Sequence, residues 1–246
     1  MLKTNITKVV VLFSAVLLFT ALAVGCGKKD AASSGSLASE TKSSTSSASS
    51  GAVSVEIPPM STNGIMYGVI IDATGKSMTV QSDMGTTVRF ALNKEVDIAD
   101  VKEGISTGVA VKIEYTGSLD GNSSGKAKIT KVSDSEKLPK LSKEALAAAG
   151  AIILAVRDRD QSTLARLCEY PLVFDTGKEK EVANVQAFIS LKRSAIFTKR
   201  LVSSVSRTNL FVTNAYSDGF LLGLSKPNIV VSSTKDGYFI TGFHYK

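Results

Sequence analysis

Tryptophan is absent from this 246-residue chain, histidine occurs once and cysteine only twice. A single histidine, His244, cannot form the paired imidazoles of a zinc site. Cys26 and Cys168 stand too far apart in sequence for the close Cys/His spacing of a metal cluster. No Gly-x-x-x-x-Gly-Lys phosphate loop and no His-Glu-x-x-His helix signature occurs. The residues therefore imply no metal, no cofactor and no catalytic residue. Beyond residue 24 no apolar run approaches the roughly 20 residues of a membrane span, which leaves one candidate membrane-directed segment, at the very start.

That segment is what is present. MLKTNITK carries Lys3 and Lys8 and no acid, and residues 9–24 are apolar except for Ser14 and Thr20. A basic stretch followed by an apolar one is the pattern of a secretory signal. At about 1.5 Å per residue, about 16 residues fall short of a hydrocarbon core roughly 30 Å thick, so a cleaved signal is favoured over a membrane span. The exit, Leu22-Ala23-Val24-Gly25-Cys26, resembles the lipobox of bacterial lipoproteins, in which small residues precede a cysteine that takes a diacylglyceryl group and becomes the new N-terminus. The resemblance implies a signal peptide over 1–25, lipidation of Cys26, and a body held at the extracytoplasmic face of the cell membrane. Acyl chains contribute about 0.8 kcal/mol per buried methylene, and two chains anchor stably where one does not.

Residues 26–52 are rich in serine, lack aromatics and contain only Leu37 as a large apolar side chain. Such composition buries too little surface to offset the entropy of ordering, and it predicts a disordered tether. A flexible chain of that length spans on the order of 25–30 Å.

A charge shift divides the remainder. Residues 53–136 hold eight Lys and Arg against eleven Asp and Glu, while 137–246 hold sixteen against nine. The boundary falls near Lys137-Leu138-Pro139-Lys140. In the first part, the runs 64–72, 77–82, 86–92, 108–115 and 127–132 are near-alternating and β-branched, with Gly-, Asp- and Ser-rich breaks, which predicts five strands. A helical turn is predicted over 97–104. Three strands, a helical crossing and two strands, with Lys102-Glu103-Gly104-Ile105 ahead of Gly108-Val109-Ala110-Val111, resemble the OB-fold, a small five-stranded antiparallel β-barrel. That fold often binds nucleic acid, which needs a basic, aromatic-lined groove. The segment is net acidic, and Tyr67, Phe90 and Tyr115 sit among apolar strand residues, so a nucleic-acid partner is excluded.

In the second part Ser142 caps a helix that continues to about Asp158, with Leu146, Ala149, Ile153 and Val156 on one face. Asp160 caps a second helix, Asn184 a third, and Thr198 precedes a fourth. Strands are predicted at 172–174, 219–223, 228–231 and 237–243. The runs "AIILAVRDRD", "LARLCEYPLVF", "VANVQAFISLKRSAIF" and "DGFLLGLSKPNIVVSSTKDGYFITGFHY" resemble the nuclear transport factor 2-like fold, a cystatin-like α+β arrangement in which a curved antiparallel sheet wraps a helix to form a cone. The fold class expected for the whole is thus α+β.

Members of that fold include enzymes and binding proteins, so function rests on residues. Tyr170 and Asp175 are the best polar pair for the interior of such a cone. His244 reads as a strand-end surface residue, and Cys168, near Leu164 and Leu167, as an inert buried thiol that has no partner once Cys26 is lipidated. The most unusual chemistry is basic: Lys192, Arg193, Lys199, Arg200 and Arg207 fall in sixteen residues without one acid. Lys192 and Arg193 are expected at the end of the third helix, where its dipole favours cations. The group suggests a face for an anionic envelope polymer, a lipid headgroup or an acidic protein. The expected function is a non-catalytic, membrane-anchored ligand- or partner-binding protein. Its alternatives are an isomerase or hydrolase using the cone, and a structural component of an envelope assembly.

Overall fold

The structure, a computed structural model, describes residues 63–119 and 127–246. The expected signal peptide, Cys26 and the Ser-rich segment lie outside them. Alternation of apolar residues makes strands of β1 (Asn63–Thr74), β2 (Ser77–Ser82), β3 (Thr87–Ala91), β5 (Ala110–Thr116) and β6 (Lys128–Asp134), close to the predicted runs. Between β3 and β5 stands β4 (Asp97–Asp100), a strand where a helical turn was predicted. It pairs parallel to β6, and Lys131 on β6 lies 2.6 Å from Asp100 and 3.9 Å from Asp97. This cross-strand pairing depends on a strand some thirty residues away, beyond the reach of any local pattern.

The sheet order is β3-β2-β1-β5-β6-β4, with β3 and β4 at the edges. The expected five-stranded antiparallel barrel is therefore corrected to an open, mixed, six-stranded sheet. No ladder joins β3 to β6, so no closed cylinder forms.

Among the described residues there are five helices, four of which start at the expected caps. Ser142 accepts from the Ala145 amide to start α1 (Lys143–Arg157), and Asp160 accepts from Thr163 to start α2 (Gln161–Arg166). Asn184 accepts from Ala187 for α3 (Val185–Ile189), α4 (Arg193–Ile196) starts without a side-chain cap, and Thr198 accepts from Leu201 for α5 (Lys199–Ser206). The strands here are β7 (Cys168–Asp175), β8 (Glu179–Val182), β9 (Ala215–Tyr216), β10 (Gly219–Leu222), β11 (Asn228–Thr234) and β12 (Gly237–His244). They form a second six-stranded sheet in the order β8-β7-β12-β11-β10-β9. It is mixed, not wholly antiparallel, because β12 runs parallel to β7. The chain leaves β7 through the β7–β8 hairpin and three helices before β9–β12, and a crossover of that length lets the last strand enter in the same direction.

The core has two compartments that share β1. Met66 and Ile70 face Met78, Val80, Phe90 and Ile113, whereas Val69 and Ile71 face α1 and join the core of the second sheet. Helix α1 contacts β1, β12, α2 and α5. Its burial extends past the single predicted face to Ala145, Gly150, Ile152 and Ala155. A helix covered on two sides is apolar around most of its circumference, which is what the run AAAGAIILAV encodes.

Polar groups complete the junction of the two sheets. The Gln81 amide nitrogen donates to the carbonyls of Ser206 (3.1 Å) and Thr208 (2.9 Å), while its oxygen accepts from the Thr87 hydroxyl at 2.6 Å. The Asn209 amide donates to the Asp83 carbonyl. At the predicted boundary, Lys137 pairs with Asp83 at 2.7 Å and lies 4.0 Å from the centre of the Tyr67 ring. The Tyr67 hydroxyl donates to Glu136 at 2.6 Å.

Candidate functional site

The basic residues lie on the helical side of the second sheet, and their placement departs from expectation. Helix α3 stops at Ile189, so Lys192 and Arg193 are not at its end. Lys192 is the N-cap of α4 and Arg193 its first residue, while Lys199 and Arg200 open α5. Lys199 and Arg200 thus stand at the N-terminus of α5, where the backbone dipole is positive, while α4 is a single turn with Arg193 in it. Lys192 and Arg193 therefore lie past the Ser190 C-cap of α3, not within its last turn as expected. Neither α4 nor α5 has an acid in its first turn.

A residue that the sequence reading missed completes the group. After α1 ends at Arg157, Arg159 turns the chain toward the Asp160 cap with φ of 54°, a left-handed conformation unusual for a residue with a side chain. The carbonyl this turn presents accepts from the Arg193 guanidinium at 2.6 Å, which holds Arg193 against the α1–α2 connection. Arg159, Arg193, Ser194, Phe197, Thr198 and Lys199 line one groove of about 420 Å³. No acid is among its lining residues.

A neighbouring groove of about 460 Å³ shares Arg159 and Arg193 and is bounded by Asp158 and Asp160. Both of those acids are engaged. Asp158 pairs with Arg157 at 2.8 Å. Asp160 accepts from the Thr163 amide, the Thr163 hydroxyl and the Ser162 hydroxyl, which hold its carboxyl well below the usual range. Among the described residues Arg159, Lys192, Arg193, Lys199, Arg200 and Arg207 form no ion pair. The chemistry such a groove supports is recognition of an oxyanion by guanidinium and ammonium groups with two hydroxyls alongside.

The five predicted cations are therefore not one cluster. Arg193 and Lys199 share the groove with Arg159, and Lys192 and Arg200 are exposed beside them in sequence. Arg207 is the C-cap of α5, about 12 Å away along the helix axis. It stands at the sheet junction, where a carbon on Gly85 would meet the Arg207 carbonyl at 2.3 Å.

Tyr170 and Asp175 are not brought together. The Tyr170 hydroxyl donates to the Ala165 carbonyl at 3.0 Å, and burial raises its pKa. Asp175 accepts from the Gly177 amide at 2.7 Å and lies 3.9 Å from Lys226. Cys168 is buried, directs its thiol to the Leu164 carbonyl at 3.2 Å, and is pushed up to about 12 by desolvation. Between the helices and the second sheet the space is filled by apolar side chains, with Phe243 centred 5.6 Å from Phe174 and 5.8 Å from Phe188. Gly-Asn-Ser-Ser-Gly at 121–125 has the Gly-x-Ser-x-Gly spacing of a hydrolase nucleophile elbow, and it lies outside the described residues. Cys26 lies outside them as well.

Among the described residues no helix is long and apolar enough to cross a membrane, and no three His, Cys, Asp or Glu side chains are grouped to hold a metal ion. Comparison with protein-family models, with curated proteins and with solved structures finds no match.

Proposed function

We propose that the chain is a lipoprotein anchored through Cys26 at the extracytoplasmic face of the cell membrane, where it binds an anionic partner without catalysing a reaction. The observation that carries this reading is the acid-free groove of Arg159, Arg193 and Lys199. Cations left without acids suit a ligand that supplies the negative charge, either an acidic envelope polymer or an acidic protein surface. The apolar filling behind the second sheet leaves the surface as the place for recognition. The first sheet reads as an opened relative of the OB-fold, since β1–β3 form a meander and β5 returns beside β1. The second reads as nuclear transport factor 2-like, since two helices, the β7–β8 hairpin and three further helices precede the run β9–β12.

The test is capture from intact envelope at low and high salt, using wild type and a variant with Arg159, Arg193 and Lys199 changed to glutamine. Capture that falls with salt and is lost in the variant supports the reading; capture unchanged by either removes it. Mass spectrometry of the membrane fraction tests the anchor separately. A diacylglyceryl-modified Cys26 at the N-terminus is expected, and an unmodified N-terminus at Met1 in the cytosolic fraction would overturn it.

A further inference from the structure

We propose a second binding site, at the open end of the first sheet, which takes the chain of a free long-chain carboxylate. A groove of about 720 Å³ lies between the β1–β2 turn, residues 73–76, and the segment 92–98 that leads from β3 into β4. Ile98 of β4 and Ile105 complete its lining.

What remains is an apolar floor. Leu92, Val96 and Ile105 are partly buried against the core of the first sheet, and Ile98 is left 45% exposed on a strand with no buried residue. The volume falls within the range of roughly 300–1,000 Å³ typical of small-molecule sites, which are predominantly apolar with a few placed polar groups.

Here the placed groups are two ammonium ions. Lys76 and Lys94 line the groove, are exposed and form no ion pair among the described residues. No acid lines it, and the nearby carboxylates of Asp97 and Asp100 face Lys131. An apolar trough lined by two cations without ion pairs complements one hydrocarbon chain that carries one anionic head. Each methylene buried contributes about 0.8 kcal/mol, and the lysines select for charge.

The experiment uses the full chain in its own membranes, labelled with a photoactivatable palmitate analogue and digested to locate the adduct. Label is expected on residues 90–105, at least fivefold reduced by excess palmitate but not by hexadecanol. A Lys76→Gln, Lys94→Gln double variant should lose at least threefold of the labelling. Ile98→Asp, at an exposed position that leaves folding intact, should lose at least fivefold, whereas Ile65→Asp, exposed at the other end of β1, should change nothing. Absence of label from 90–105, equal competition by hexadecanol, or equal labelling by a photoactivatable two-chain phospholipid would overturn the proposal.

Discussion

Arg159 adopts the left-handed backbone that glycine takes without penalty, and its carbonyl positions Arg193. For a residue with a β-carbon that conformation costs roughly 1–2 kcal/mol. Replacing Arg159 with glycine should therefore raise stability by up to about 1 kcal/mol, or a few degrees in melting temperature. The same change should weaken salt-sensitive capture of the anionic partner. Thermal unfolding and the capture assay, run on one preparation, check the opposing signs. A residue important only for the turn would show the first effect without the second.

Cys168 provides a second prediction at this scale. Its thiol is neutral and buried in the folded protein, and its pKa is raised from 9.0 to about 12 by desolvation. A raised pKa favours the native state while the group stays protonated in both states. This contribution is complete below pH 9 and is lost as pH rises toward 12. Tyr245, whose hydroxyl donates to the Ile196 carbonyl at 2.6 Å, is raised by burial in the same direction. Stability should hold through neutral pH and fall on alkaline titration, followed by circular dichroism. A thiol reagent at pH 8 should label Cys168 only after denaturant is added.

At the scale of elements, β2 shows how far local pattern reaches. The alternation of SMTVQS announced a strand with one polar face, and such a face ordinarily meets water. In the structure both faces are buried, because Gln81 is covered by the turn after α5. Gln81→Leu keeps the volume but leaves two carbonyls and the Thr87 hydroxyl without their partner, a loss of about 2–4 kcal/mol. Gly85→Ala should cost about 2 kcal/mol or more, since its φ is 74° and the added carbon would lie 2.3 Å from the Arg207 carbonyl. Denaturant midpoints measure both. Caps were legible for a related reason: Ser142, Asp160, Asn184 and Thr198 each bond an amide three residues on, so the interaction is contained in the words of the sequence. Strand β4 was not legible, because its four exposed residues become a strand only beside β6. The groove was legible in part. Its lysine and arginine near 193–199 form an acid-free run, while Arg159 was hidden in the charge-balanced stretch RDRD.

At the scale of the molecule, the shared strand β1 and the doubly covered helix α1 make the two sheets interdependent. Residues 53–136 produced alone would expose Val69, Ile71 and Gln81, and they should give broad, poorly dispersed amide spectra rather than a folded sheet. Calorimetry of the whole body should show one transition whose van't Hoff and calorimetric enthalpies agree. Two separate transitions would mean that the junction is weaker than its packing implies.

By itself the sequence determined the α+β class, the places of most strands and helices, the helix starts, and the acid-free basic run. All of these follow from interactions within a few residues or from a fixed periodicity. Tertiary structure alone decided that the first sheet stays open, that β12 runs beside β7 in the same direction, that α1 is buried on two sides, and that Arg159 stands with Arg193 and Lys199. Each of those outcomes depends on which distant surfaces meet, and the free energy of that meeting belongs to pairs of segments, not to either one alone.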